Sequence, residues 1–147
     1  MNDTFKIRTY NSEDEKAVIE IWRQCNLLTA ANNPVQDIKR KCEEDRDLFS
    51  IGELKGQVIS TCMAGFDGHR GWIYYLTVLP IFQGNGFGKL LVRNAEDSLK
   101  NRGCPKIDLM VRSTNLKVIE FYNKIGFSQE SVTVMGKRLI VDEEYKN

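Results

Sequence analysis

The sequence predicts an α/β fold: a mixed, mostly antiparallel β-sheet of about six to seven strands flanked by about four helices. Three observations lead there. Short runs that alternate apolar and polar residues, as strands do, are interspersed with stretches carrying apolar residues at helical spacing. Glycine, proline and other turn residues fall between those runs. The 147 residues, 41% apolar and 28% charged, suit one ordinary globular domain spanning 1–147 and are too few for two.

The elements follow in order. Residues 5–10 alternate apolar and basic side chains as a first strand. Ser12 and Glu15 read as a capping box that opens a helix with Val18, Ile21, Trp22 and Cys25 on its apolar face. Residues 30–34 break the pattern, and a more polar helix runs from Pro34 to about Glu44. Residues 48–54 and 57–66 read as strands joined at Lys55-Gly56. After a turn at 67–71, the aromatic and β-branched run 72–78 is a fourth strand ending before Pro80. Phe87, Leu90, Leu91, Ala95 and Leu99 place a helix that Gly103 and Pro105 stop. Ile107, Leu109 and Val111 mark a fifth strand, residues 115–125 a short helix closed by Gly126, and 132–135 with 137–141 a final hairpin turning at Gly136. The expected order is β-α-α-β-β-β-α-β-α-β-β.

Composition excludes several functions. Lys plus Arg (21) against Asp plus Glu (20) leaves +1, which argues against nucleic-acid or membrane partners recruited by net charge. No run approaches the ~18 apolar residues of a membrane span. The opening residues carry no apolar stretch of signal-peptide length, so the expected location is cytoplasmic. Cys25, Cys42, Cys62 and Cys104 form no Cys-x-x-Cys pair and His69 is the only histidine; we expect reduced cysteines and no metal site.

The densest signal is the segment 78–89, in which Gly84, Gly86 and Gly88 stand at alternate positions between a strand and a helix start. Glycines there expose successive backbone N–H groups beside the unpaired donors of a helix N-terminus, an arrangement that binds phosphate. The dinucleotide fingerprint fails, because its third glycine would be Lys89 or Leu91. The P-loop fails at Gln83 and at Leu90, which stands where a magnesium-binding Ser or Thr belongs. Further on, Asn115 and Tyr122 are two helical turns apart and project from nearly one face. Read alone, they are an N-cap and a core residue.

Gln83, Gly86 and Gly88 match Q-x-x-G-x-G, preceded by Leu76-Thr77-Val78-Leu79-Pro80, a strand ending in hydrophobic-Val-x-Pro. Residues 115–127 match approximately N-x-x-A-x-x-[F/L]-Y-x-x-x-G-F, with Val118 at the small position. On these motifs the sequence resembles the GNAT family, the Gcn5-related N-acetyltransferases, over essentially its whole length. Residues 103–107 and 135–145 look like its small bacterial YpeA-type members.

The resemblance implies the GNAT fold, acetyl-CoA as co-substrate and direct transfer of its acetyl group to a primary amine in a ternary complex. It implies pantetheine pairing with the backbone of Leu76, Thr77 and Val78, pyrophosphate on Gln83, Gly84, Asn85, Gly86, Phe87, Gly88 and Lys89, cofactor contacts from Asn115 and Tyr122, and Tyr122 as the general acid. Lys89 and Arg93 could supplement the loop, which lacks its usual internal basic residue. An alkylamine of pKa about 10.4 is neutral about once in 2,500 molecules at pH 7, a cost near 4.6 kcal/mol that the site must meet. The family's glutamate base position falls on Trp72, which cannot accept a proton. Asp67, His69, Asp108, Tyr74 and Tyr75 are weak substitutes, and deprotonation through ordered water is the expectation. The alternative is a non-catalytic acyl-CoA-binding or regulatory module. The acceptor is open among small-molecule, peptide and protein amines, and the final hairpin could offer a homodimer edge.

Overall fold

Alternating sequence becomes a sheet wherever both faces find a cover. The computed structural model describes residues 4–146; residues 1–3, part of the stretch read above for a leader, and residue 147 lie outside the described residues. The order is β1 (Phe5–Thr9), α1 (Glu15–Gln24), α2 (Pro34–Asp45), β2 (Phe49–Leu54), β3 (Gln57–Phe66), β4 (Gly71–Val78), α3 (Phe87–Asn101), β5 (Ile107–Leu109) and α4 (Leu116–Lys124). The sheet runs β1-β2-β3-β4-β5, antiparallel except for the parallel β4–β5 pair that α3 connects.

β3 shows why the core has two halves. Ile59 and Met63 face a cluster with Val18, Ile21 and Trp22 of α1 and Ile38 of α2. Cys62 and Ala64 face the opposite cluster, with Leu91, Val92, Ala95 and Leu99 of α3 and Tyr122 of α4. Each fully buried Leu or Ile contributes roughly 1.5–3 kcal/mol. Phe5 of β1 stacks on Phe87, the first residue of α3, at 4.4 Å between ring centroids, which fixes where that helix begins.

Three expectations need correction. The cap before α1 is Asn11, whose Oδ1 accepts from Glu13 N–H at 3.0 Å while Asp14 accepts from Asn11 N–H at 2.9 Å. It lies one residue earlier than the Ser12–Glu15 box because Asn11 is the residue left in extended conformation. β5 is three residues long, since it pairs only with Gly71, Trp72 and Ile73 before the strands part. The final hairpin does not form, so the described sheet has five strands rather than six or seven. Arg138 within the hairpin segment and the residues flanking it are tied elsewhere: Lys106 pairs with Glu130, Arg138 with Asn32 at 3.1 Å, Arg40 with Asp142, and Asn33 Nδ2 donates to the Glu143 carbonyl at 2.9 Å. The contacts of Arg138, Asp142 and Glu143 hold this end of the segment beside α2, where it pairs with no strand of the described sheet. The homodimer expectation loses the hairpin on which it rested.

Candidate active site

The sheet opens where β4 outruns β5. Pairing with β5 ends at Ile73, so from Tyr74 to Val78 the outer edge of β4 has no strand partner among the described residues. Opposite, on the β3 side, Tyr75 and Leu76 together face the single residue Cys62, a β-bulge. Tyr75 takes φ +51°, the left-handed region, at a cost of about 1–2 kcal/mol for a non-glycine residue.

Contacts from both neighbouring layers hold that strained residue. The Tyr75 carbonyl accepts from Thr61 Oγ1 at 2.7 Å, and Thr61 Oγ1 in turn accepts from Trp22 Nε1 at 3.0 Å and meets Thr77 Oγ1 at 2.8 Å. The Tyr75 ring stacks on buried Trp22 at 3.8 Å, 12° from parallel. Its hydroxyl donates to Asp37 Oδ2 of α2 at 2.7 Å. The stack contributes roughly 0.5–1.5 kcal/mol and a hydrogen bond to a charged group roughly 1.5–3 kcal/mol, enough to offset the strain. Burial, then the Asp37 bond, pushes the Tyr75 phenol up.

At the far end of β4 the chain turns through the glycine loop. Gln83 Nε2 donates back to the Val78 carbonyl at 2.9 Å, and Asn85 Nδ2 to the Phe82 carbonyl at 3.0 Å, so both side chains shape the loop. Gly84 and Gly86 have φ +84° and +83°, and a Cβ on either would meet nothing within 4 Å. Gly86 is the α3 N-cap and offers no side-chain acceptor. The first amide closing on this turn is Leu90, donating to Gly86 at 3.2 Å; from Gly84 through Lys89 no backbone N–H has a protein acceptor among the described residues. That row of donors sits at the positive end of a 15-residue helix. Lys89 and Arg93 are exposed and, among the described residues, not ion-paired.

Gly88 differs from the other two. Its φ is not left-handed, and a Cβ there would lie 3.3 and 3.5 Å from the Phe121 ring and 4.0 Å from Val78. It lets α4 close against the start of α3. Beside Phe121, Tyr122 is 9% exposed and packs edge-on to Phe121 and Phe127 at 5.0 and 5.4 Å. Its hydroxyl has no hydrogen-bond partner among the described residues. Burial, with the Cys62 thiol second, pushes the phenol up, so it stays protonated at neutral pH. Cys62 is also the residue opposite the bulge, which brings Tyr122 and Tyr75 to the same vertex from opposite faces of the sheet. Asn115 is the α4 N-cap, its Oδ1 accepting from Val118 N–H at 3.4 Å.

Among the proton-acceptor candidates, Asp67, Asp108 and Tyr75 are engaged by neighbouring groups, whereas His69 lies exposed in the turn. Trp72 donates through Nε1 to Asp67 at 3.3 Å. The Arg70 and His69 N–H groups, each at 2.8 Å, hold the Asp67 carboxyl below its ordinary range. Asp108 lies 3.7 Å from Arg70 and 3.6 Å from Lys106. Tyr74 is half-exposed, and partial burial raises its phenol. An open cavity of about 390 Å³ lies elsewhere, beside α1 and Tyr145; its Glu15, Lys16, Glu20 and Arg23 carry both signs of charge and focus no field on an anion. Sequence reasoning missed Asp37, Thr61 and Trp22, because nothing local marks the bulge that they serve.

An α/β domain with an open strand edge, a row of free amides at a helix start and a buried, unpartnered phenol offers donors for an anion at one end and a protonated hydroxyl at the other. Residues 15–127 match the Acetyltransferase (GNAT) family. An acetyltransferase of Sodalis glossinidius is 46% identical over 141 residues, covering 95% of this chain and 99% of that protein. Ard1 from Thermoplasma volcanium superposes with a TM-score of 0.78 at 22% identity, over 86% of this chain and 84% of that one. AAC(6')-Iy, solved with the bisubstrate analogue CoA-S-monomethyl-acetylneamine, gives 0.72 at 20% identity, over 92% and 99%. The chain belongs to the GNAT acetyltransferase family and is an acyltransferase.

Proposed function

We propose that this protein uses acetyl-CoA to acetylate a primary amine by direct transfer in a ternary complex, all 147 residues forming one cytoplasmic N-acetyltransferase domain. The observation that carries the reading is the groove itself, with unpartnered amides from Gly84 to Lys89 at one end and the unpartnered Tyr122 phenol at the other. The CoA-derived bisubstrate analogue bound by AAC(6')-Iy agrees with it.

The residues fit such a ligand. Gly84 and Gly86 leave open space where a side chain would block an anion, and the Gly84–Lys89 amides are free to act as donors, whereas the Gln83 N–H is already given to the Pro80 carbonyl at 3.2 Å. The free edge of β4 at Leu76, Thr77 and Val78 offers backbone groups to an extended amide-bearing arm; at about 3.3 Å per residue, Tyr74 to Val78 spans roughly 13 Å. Phe87 and Asn115 are assigned to the cofactor by the family resemblance; in the structure Phe87 stacks on Phe5 and Asn115 caps α4. Bound acetyl-CoA supplies an activated acyl thioester. In this reading Tyr122, which burial keeps protonated, would donate a hydrogen bond to the thioester sulfur as that sulfur gains charge.

Direct transfer is favoured because this chain's buried thiols are poor nucleophiles. Burial pushes Cys62 up to about 12 and raises Cys25 as well. With Asp67 and Asp108 engaged, water carries the amine's proton away. The four free cysteines suit a reducing compartment. The +1 net charge gives no general pull toward nucleic acid or membranes, and no described helix is long and apolar enough to cross a membrane.

The test is a panel of small-molecule, peptide and protein amines with acetyl-CoA, read as thiol release, beside thermal protection by acetyl-CoA. Protection with turnover on an amine supports the reading. Protection without turnover on any amine favours the acyl-CoA-binding module, for which Trp72 at the base position speaks.

A further inference from the structure

The most strained residue near the groove is braced from α2, and the brace is separate from the phosphate end. Tyr75 is a non-glycine residue in left-handed conformation at the point where β4 loses its β5 partner. Peptide groups from Tyr74 to Leu76 are therefore the first on β4 that a ligand in the gap meets, and the bulge sets the direction in which they point. Thr61 holds the Tyr75 carbonyl and Trp22 holds the ring. Those contacts come from buried core residues. The bond from the Tyr75 hydroxyl to Asp37 is different: it reaches across 38 residues of sequence to the first turns of α2, outside the hydrophobic cluster. Asp37 is also tied through Arg40, 3.3 Å away, to Asp142 of the C-terminal segment.

We propose that Asp37 is a positioning residue for acetyl transfer: acting through the Tyr75 hydroxyl, it fixes the strained peptide at the head of β4's free edge, against which the thioester end of acetyl-CoA lies. This rests on the acetyl-CoA reading above. The bond is remote from the Gly84–Lys89 amides, so it governs turnover and not cofactor affinity.

Tyr75→Phe keeps the stack on Trp22 and removes only the hydroxyl; Asp37→Asn keeps the shape of the acceptor and removes its charge. Each is expected to lower kcat about tenfold, with the KM for acetyl-CoA and its thermal protection within twofold of the wild type. The double variant is expected to be no slower than the slower single variant, because both changes break one bond. Turnover is read as thiol release with the best amine of the panel, or to water where no amine is taken. Single variants within twofold of wild-type kcat, or a double variant whose losses multiply, would overturn the proposal. So would a KM for acetyl-CoA that rises in step with any loss of kcat. A wild-type chain that acetyl-CoA does not protect would instead remove the cofactor reading, and this proposal with it.

Discussion

Gly86→Ala and Gly88→Ala are expected to behave oppositely, though the two residues share one loop motif. Gly86 has φ +83° and open space around its missing Cβ, so alanine there meets no neighbour but must adopt or escape a left-handed backbone. That costs about 1–2 kcal/mol. For a chain of this size each kcal/mol moves the melting temperature by roughly 2–4 °C, so the unliganded variant should melt about 2–8 °C lower. Escape from φ +83° would also turn the loop amides away from their common target. Losing two or three such contacts at roughly 0.3–1 kcal/mol each weakens acetyl-CoA binding about tenfold.

Gly88 already has a backbone that alanine accepts, inside a helix where alanine is favoured by about 1 kcal/mol over glycine. Its Cβ would press on the edge of the Phe121 ring at 3.3 Å, a contact that a few tenths of an ångström of ring movement relieves. The two effects roughly cancel, so melting within about 3 °C of wild type and full cofactor protection are expected. The assay is thermal melting with and without acetyl-CoA at about 100 times its dissociation constant, where a binder gains about 2.7 kcal/mol, or roughly 5–11 °C. If Gly88→Ala loses protection while Gly86→Ala keeps it, the assignment of the loop amides to the phosphates is wrong.

Tyr122→Phe should fold normally, since its hydroxyl has no protein partner among the described residues, and should bind acetyl-CoA within about threefold while turnover drops about 100-fold or more; undiminished kcat would end the acid role. Asp14→Asn breaks the two-point contact with Arg8 at 2.8 Å and, with Arg8 a third exposed, should cost about 2 kcal/mol, or roughly 4–8 °C by calorimetry. The Arg8 guanidinium holds the Asp14 carboxyl below its ordinary value, so the wild type's advantage is complete above pH about 4 and fades as pH falls through the lower folded value. An advantage that grows in acid would contradict that sign. With no dedicated base, kcat/KM for an alkylamine should climb about tenfold per pH unit from 6 to 8, following the neutral amine; a plateau near neutrality would reveal a protein base.

How far the sequence revealed the site depends on what each part is made of. The loop proposed to hold the phosphates was legible as a structure because a backbone that needs φ near +84° without side-chain bulk selects glycine, and Gly84 and Gly86 announce it. The acid role proposed for Tyr122 comes from the family motif over residues 115–127; spacing alone reads Asn115 as a cap and Tyr122 as a core residue, and both of those plainer roles are present in the structure. The bulge was invisible, because Tyr75 looks like any aromatic residue in a β-branched run and its partners lie 14 to 53 positions away. The final hairpin was over-read for the opposite reason: alternation at 132–141 is a local signal, whereas a strand requires a partner, and Arg138, Asp142 and Glu143 are bonded to α2 and the residues before it instead. The same limit shortened β5, whose sequence alternates for two residues beyond its last partner.

Tyr75, Gly84 and Gly86 are all left-handed, yet only one carries a side chain, and this divides the groove into ends of different origin. At the proposed phosphate end glycine takes the conformation freely, so the loop needs little from the core beyond Phe5 on Phe87 and the Gln83 bond to Val78. At the reacting end a tyrosine takes the conformation at a cost, and the contacts that offset it belong to α1, α2 and β3. Loosening the α1 side of the core should therefore disturb the reacting end before the phosphate end. A Thr61→Val variant tests this directly: it keeps shape while removing the acceptor for Trp22 Nε1 and the donor to the Tyr75 carbonyl. It should slow turnover more than it weakens acetyl-CoA binding. Equal losses of both would mean that the two ends form one mechanical unit and that the bulge has no separate role in turnover.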